Sequence, residues 1–305
     1  MVPGAMANPR FEGTFTALVT PFVAGGEHVD VPALERLVET QIAGGVSGLV
    51  ACGTTGEAPT LTDSEQRDVI AHVVRVAAHR VVVVAGTGTF STAKSIAYSK
   101  TALAAGADAV MVVMPYYNKP SQEGMYQHVL AVARAVPCPI VLYNIPGRSV
   151  VDLAAHTTEH ICEQAPNVVA VKDATGNVLR CQELKQRLGD RLSIMCGDDA
   201  LTLGMMAAGA SGVISVTSNL VPERVSEVTR LLAAGKLDAA RKAHYALLEL
   251  HTAMFLEPNP VPCKLALSLL GKMQPDVRLP LVEAGEMSTS RIAAAVRDLG
   301  LTPGT

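Results

Sequence analysis

The sequence predicts an α/β fold, a closed (β/α)8 TIM barrel with a C-terminal helical extension, and three observations carry that prediction. Short apolar runs alternate with amphipathic stretches eight times; composition does not shift between the units; and the strand-like runs stop after about Gly235. Parallel strands covered by helices on both faces read as continuous apolar runs, and eight regular units favour closure into a barrel. A doubly wound open sheet is the competing architecture.

The apolar runs are Thr14–Phe22, Gly48–Thr54, Val81–Gly88, Ala109–Tyr116, Ile140–Pro146, Val168–Thr175, Leu192–Asp199 and Gly212–Leu220. Each precedes a stretch of helical period: Val31–Gly44, Thr62–His79, Ser91–Ala105, Ser121–Val136, Asp152–Gln164, Asn177–Leu188, Ala200–Ala208 and Pro222–Ala234. Thr62 with Glu65 reads as a capping box, and Gly106, Gly189 and Gly209 stand just past helix ends. Beyond residue 235 the pattern is helical only, over Lys236–Phe255, Val261–Leu270 and Ser288–Leu299, joined by Pro-rich turns. The expected division is 1–234 for a barrel carrying the active site and 235–305 for a helical region rather than a second independent fold.

The 305 residues are 49% hydrophobic, enough for a large core. No apolar stretch approaches the roughly 20 residues that cross a bilayer. Met1 to Arg10 offer neither a basic nor an apolar signal-peptide region, and Met6 stands as an alternative start. A net charge of −3 supplies no field for nucleic acid or an anionic membrane. The six cysteines fall singly, which fits reduced thiols and a cytoplasmic location.

Active sites of such barrels lie at the C-terminal ends of the strands, so polar residues there are the candidates. Lys172 ends the apolar run Val168-Val169-Ala170-Val171, where an ammonium is costly to bury. A free lysine is only roughly 0.04% neutral at pH 7, and only the neutral amine attacks a carbonyl. A buried strand-end lysine is therefore suited to Schiff-base chemistry; a salt-bridged or snorkelling lysine is the plain alternative. Tyr143 ends the neighbouring run, with Arg148 five residues on, a phenol for proton transfer and a fork of donors for a carboxylate. Gly53-Thr54-Thr55-Gly56-Glu57 offers hydroxyls and backbone N–H groups to an anion, and Pro115-Tyr116-Tyr117-Asn118-Lys119-Pro120 is rich in special residues for a loop.

Together with Glu257-Pro258-Asn259-Pro260-Val261-Pro262-Cys263-Lys264, these segments resemble the dihydrodipicolinate synthase family, within the N-acetylneuraminate lyase group of class I pyruvate aldolases, from about Gly13 to Leu299. The resemblance implies that Lys172 forms an imine with pyruvate while Tyr143 relays protons. It implies that Thr54 links Tyr143 to Tyr117, the latter reaching in from a neighbouring protomer. Thr55 would bind the pyruvate carboxylate and Arg148 the carboxylate of L-aspartate 4-semialdehyde, with Gly197 and the backbone of Ile214 lining the site. The expected product is 4-hydroxy-tetrahydrodipicolinate, the expected assembly a homotetramer built as a dimer of dimers. The protonated imine is the electron sink, so no metal or organic cofactor is implied. The rivals are a sialic acid or 2-keto-3-deoxy sugar acid lyase, against which Arg148 argues, and a silent keto-acid sensor, which would lack Lys172, Tyr143 or Thr54.

Feedback-sensitive members of this family bind L-lysine beside the tyrosine matching Tyr116, using two histidines, an asparagine and a glutamate. Those positions here hold Asp63, Gln66, Phe90 and Lys94, so weak or no inhibition is expected. Other motifs carry less. His156-Thr157-Thr158-Glu159-His160 imitates a zinc pattern on an outer helix, and Gly86-Thr87-Gly88 lacks the third glycine of a dinucleotide fingerprint. Asp198 and Asp199 read as partners for local backbone.

Overall fold

The computed structural model describes residues 10–303; the reading of Met1 to Arg10 lies almost wholly outside them. Eight parallel strands close a barrel in chain order: β1 (Gly13–Ala17), β2 (Gly48–Ala51), β3 (Val82–Gly86), β4 (Ala109–Val113), β5 (Ile140–Asn144), β6 (Val168–Asp173), β7 (Ser193–Cys196) and β8 (Gly212–Ser215). Closure runs through β1 against β8, with Thr14 opposite Val213 and Thr16 opposite Ser215. The outer ring is α1 (Val31–Ala43), α2 (Asp63–Ala77), α3 (Thr92–Ala104), α4 (Gln122–Ala135), the short α5 (Pro146–Ser149), α6 (Ala155–Gln164), α7 (Val178–Leu188), α8 (Thr202–Ala207) and α9 (Pro222–Ala233). Then come α10 (Leu237–Ala253), α11 (Val261–Leu269) and α12 (Glu286–Asp298). Among the described residues no helix is long and apolar enough to cross a membrane.

The strands are shorter than the apolar runs. Leu18, Val19 and Phe22 stay buried after β1 has ended, the first two in the main core and Phe22 beneath Lys264 and Arg278. Hydropathy reports burial, and burial outlasts the hydrogen-bond ladder. The expected capping box is formed, Glu65 N–H donating to Thr62 Oγ1 while Thr62 N–H donates to Glu65 Oε2 at 2.9 Å. Gly106, Gly189 and Gly209 all have the positive φ expected past helix ends.

Inside the barrel Phe15, Val50, Val84, Met111, Val141, Tyr143, Ala170, Met195 and Ile214 pack into one apolar cluster. Gly48 has no side chain because the Phe15 ring holds that space; a Cβ there would lie 2.2 Å from it. The helical region packs on the α9 flank through α10, and α12 lies against α10 and α11. Between α10 and α12 the chain returns to the barrel mouth, carrying Asn259, Lys264 and Arg278 to the loop after β2.

Candidate active site

β5 and β6 pair in a register that sets Tyr143 opposite Lys172. Side chains alternate along a strand, so both point inward while Asn144 and Asp173 point to the helix layer. Lys172 is 5% exposed and Tyr143 4%. The Lys172 amine stands 4.4 Å over the phenol ring, and among the described residues it has no hydrogen-bond or ion-pair partner. It is thus free of the carboxylate that usually accompanies a buried lysine. Lys264, fully buried, shows the contrast. Its amine donates to Glu57 Oε1 at 2.6 Å and to the Asp276 carbonyl at 2.7 Å, and covers the Phe22 ring at 3.9 Å. Burial lowers its pKa against the pull of Glu57. Of the two buried lysines, only Lys172 is chemically available.

The outward neighbours bind the two strand ends to each other. Asp173 Oδ1 accepts from the Thr175 N–H and hydroxyl at 3.0 and 2.6 Å, and its Oδ2 faces Arg180 Nε at 3.2 Å. Arg180 also donates to the Leu153 carbonyl. Asn144 donates to Asp152 at 2.7 Å and accepts from Leu153 N–H at 3.1 Å. Residues 152 and 153 thereby hold the strand ends carrying Tyr143 and Lys172 in one arrangement.

The loop after β2 enters and leaves through Cys52 and Glu57 at φ 54° and 52°, left-handed values that cost about 1–3 kcal/mol each and persist only when surroundings enforce them. At Glu57 the enforcement comes from the C-terminal region. Glu57 accepts from Lys264 and, at 3.0 Å, from the Arg278 N–H, while Asn259 Nδ2 donates to Thr55 Oγ1 at 2.9 Å. Sequence pattern shows no role for Glu57, Asn259 or Lys264; the one signal is the opposite charge of Glu57 and Lys264, and Asn259 carries none. Glu65 forms a two-bond pair with Arg278 that holds its carboxyl down at about 2.

A cleft of about 400 Å³ opens beside this loop, lined by Thr54, Met111, Tyr116, Tyr143 and Arg148 among others. Thr54, Tyr143 and Arg148 are therefore brought together as expected. Arg148 lies exposed on α5, a helix too brief to show a period, where the sequence had suggested strand and loop. Thr55 is 2% exposed and is not among the residues that line the cleft. Gly197 follows β7 and donates to the Asp173 carbonyl at 2.7 Å; a Cβ there would meet Ala174 at 2.6 Å. Ile214 belongs to the same interior cluster as Tyr143. Tyr117 is 89% exposed at φ 69°, and within the chain no hydrogen bond joins the hydroxyls of Thr54, Tyr143 and Tyr117.

The far end of the cleft holds Gln66, Phe90, Lys94 and Tyr98. Phe90 meets Tyr116 edge-on at 5.3 Å, Tyr98 O–H donates to Asp63 at 2.7 Å, and Gln66 donates to the Gly86 carbonyl at 2.9 Å. The bond to Asp63 raises the Tyr98 pKa, and burial raises that of Tyr116.

Among the described residues no cluster of three His, Cys, Asp or Glu is arranged to hold a metal, the 156–160 segment included. All six cysteines are free and buried, and burial pushes the Cys52 thiol up to about 12. Asp199 accepts from the Ser215 hydroxyl and from the backbone of Val216 and Thr217, the local role expected of it.

The model of the dihydrodipicolinate synthetase family matches residues 10–299. A 4-hydroxy-tetrahydrodipicolinate synthase from Sorangium cellulosum is 66% identical over 294 residues, 96% of this chain and 98% of that one. One from Geobacter metallireducens is 45% identical over 95% of this chain and 99% of its own. The crystal structure of dihydrodipicolinate synthase from Aquifex aeolicus superposes with a TM-score of 0.94 at 41% identity, covering 97% of this chain and 100% of that chain.

Proposed function

The chain belongs to the dihydrodipicolinate synthetase family, and on that premise we propose how its barrel mouth works. The chain condenses pyruvate with L-aspartate 4-semialdehyde to 4-hydroxy-tetrahydrodipicolinate, the committed step of diaminopimelate and lysine biosynthesis, and is a lyase. In our reading the Lys172 amine attacks the pyruvate ketone, and loss of water gives the imine. The protonated imine makes the pyruvate methyl acidic, Tyr143 takes up the proton it loses, and the resulting enamine attacks the aldehyde carbon. The amine of the second substrate then adds to the imine carbon, closing the ring and releasing Lys172. Tyr143 carries protons for these steps, Thr54 connects it to Tyr117 of a neighbouring copy, and Thr55 grips the pyruvate carboxylate. Arg148 receives the carboxylate of the semialdehyde, and Gly197 and Ile214 line the bed around the imine. The observation that carries this reading is the buried, unpaired Lys172 amine beside Tyr143.

The same reading places the enzyme in the cytoplasm as a homotetramer, a dimer of dimers, with the division at 1–234 and 235–305. Borohydride added with pyruvate should inactivate the enzyme and leave one reduced pyruvyl group on Lys172; labelling of Lys264 or of Lys172→Ala protein would sink the assignment. Co-expression of Tyr117→Phe with Lys172→Ala should regain activity through mixed dimers holding one intact site. A fully active monomer in sedimentation at assay concentration would refute the shared site.

A further inference from the structure

We propose that Asn259 is a positioning residue that commits the Thr55 hydroxyl to donate to the pyruvate carboxylate, making the helical region a working part of the carboxylate grip. The inference rests on the reading of Thr55 given above. A hydroxyl has one hydrogen and two lone pairs, whereas a carboxylate only accepts. Asn259 Nδ2 donates to Thr55 Oγ1 at 2.9 Å and so occupies a lone pair, and among the described residues the Thr55 side chain has no other hydrogen-bond partner. The single hydrogen of Thr55 is left for an acceptor that arrives with the substrate. Were Thr55 to donate to Asn259 instead, it would show the carboxylate only lone pairs.

Two further observations support a directed role. Asn259 is 7% exposed, and its Oδ1 is buried with no partner among the described residues. An unpaired amide oxygen in such a place is unfavourable, so the bond to Thr55 is what the position uses. The donor is also held firmly. Five residues on, Lys264 pairs with Glu57, two residues beyond Thr55, so the same two segments are tied at two points.

The test compares Asn259→Asp, Asn259→Ala and Thr55→Val by the pyruvate dependence of borohydride trapping and by steady-state kinetics. If wild-type enzyme traps no imine, the site reading itself has failed, whatever the variants do. Given wild-type trapping, Asn259→Asp keeps the shape but only accepts, so it captures the Thr55 hydrogen. It should raise half-saturating pyruvate by roughly 10–100-fold, with KM for the semialdehyde moving less than about threefold. Asn259→Ala frees the hydroxyl to rotate and should cost less than Asn259→Asp, the reverse of what a space-filling role predicts. The double variant Thr55→Val with Asn259→Asp should bind pyruvate no worse than Thr55→Val. Equal losses for both substrates, or a heavier loss in Asn259→Ala, would overturn the proposal. Should Asn259→Asp not fold, Asn259→Ala combined with Thr55→Val decides: effects on half-saturating pyruvate that multiply refute the coupling, and effects that merge support it.

Discussion

Tyr143 and Lys172 are register partners on adjacent strands, and the amine of one stands 4.4 Å over the ring of the other. The contact is made through the ring, and Tyr143 also lines the cleft. Tyr143→Phe therefore keeps the ring and the amine's seat while removing the hydroxyl that we propose carries protons. We expect kcat to fall by about 10²–10⁴ with little change in melting temperature. Near-normal turnover in this variant would mean that protons travel another way.

Arg148 is exposed on a four-residue helix and makes no ion pair among the described residues, so its charge is available to a ligand. Arg148→Ala should raise KM for aspartate semialdehyde by about 10–150-fold, the worth of a charge-assisted bond, and KM for pyruvate much less. Equal changes in both constants would show the residue to be structural.

The Glu65–Arg278 pair fastens the start of α2 to the C-terminal segment. Glu65 has a folded-state pKa depressed to about 2, chiefly by its hydrogen bonds to Arg278, against an ordinary value of 4.5. A depressed carboxylate stabilises fully above its unfolded value and loses that contribution as pH falls from 4.5 toward 2. Glu65→Gln should thus lower unfolding stability by about 1–2 kcal/mol at pH 7, a figure already reduced for solvent screening. Urea titrations at pH 7, 5 and 3 should show the gap between wild type and variant narrowing with acid; a constant gap would refute the assignment.

At the far end of the cleft the groups that could receive a diamino acid are already engaged or of the wrong sign. Lys94 is a cation, Gln66 is bonded to Gly86, and Asp63 already accepts from Tyr98. Two like charges about 4 Å apart cost on the order of 1–4 kcal/mol between bulk water and a protein surface. Millimolar L-lysine should therefore inhibit weakly or not at all, and a midpoint below about 1 mM would show a rebuilt pocket.

The barrel was legible because its strands are buried on both faces, which writes each as an unbroken apolar run. Lys172 and Tyr143 were legible for the same reason, as polar groups ending such runs. Strand ends were overextended where burial continued into loops, as from Leu18 to Phe22. α5 is a single turn and leaves no period to read. Thr55 stands out in its Gly/Thr turn, but its surroundings do not. Its partner Asn259, and the Lys264 that fixes Glu57, lie some 200 residues away, and no periodicity connects residues so distant.

That distance has a bearing on how the chain comes into being. The ties from Thr55 to Asn259 and from Glu57 to Lys264 span 204 and 207 residues. A ribosome working from the N-terminus releases Tyr143 and Lys172, and even the last strand, well before either tie is available. The Lys172 amine is therefore made before the partners of Thr55 and Glu57, and a chain ended before residue 259 lacks both ties.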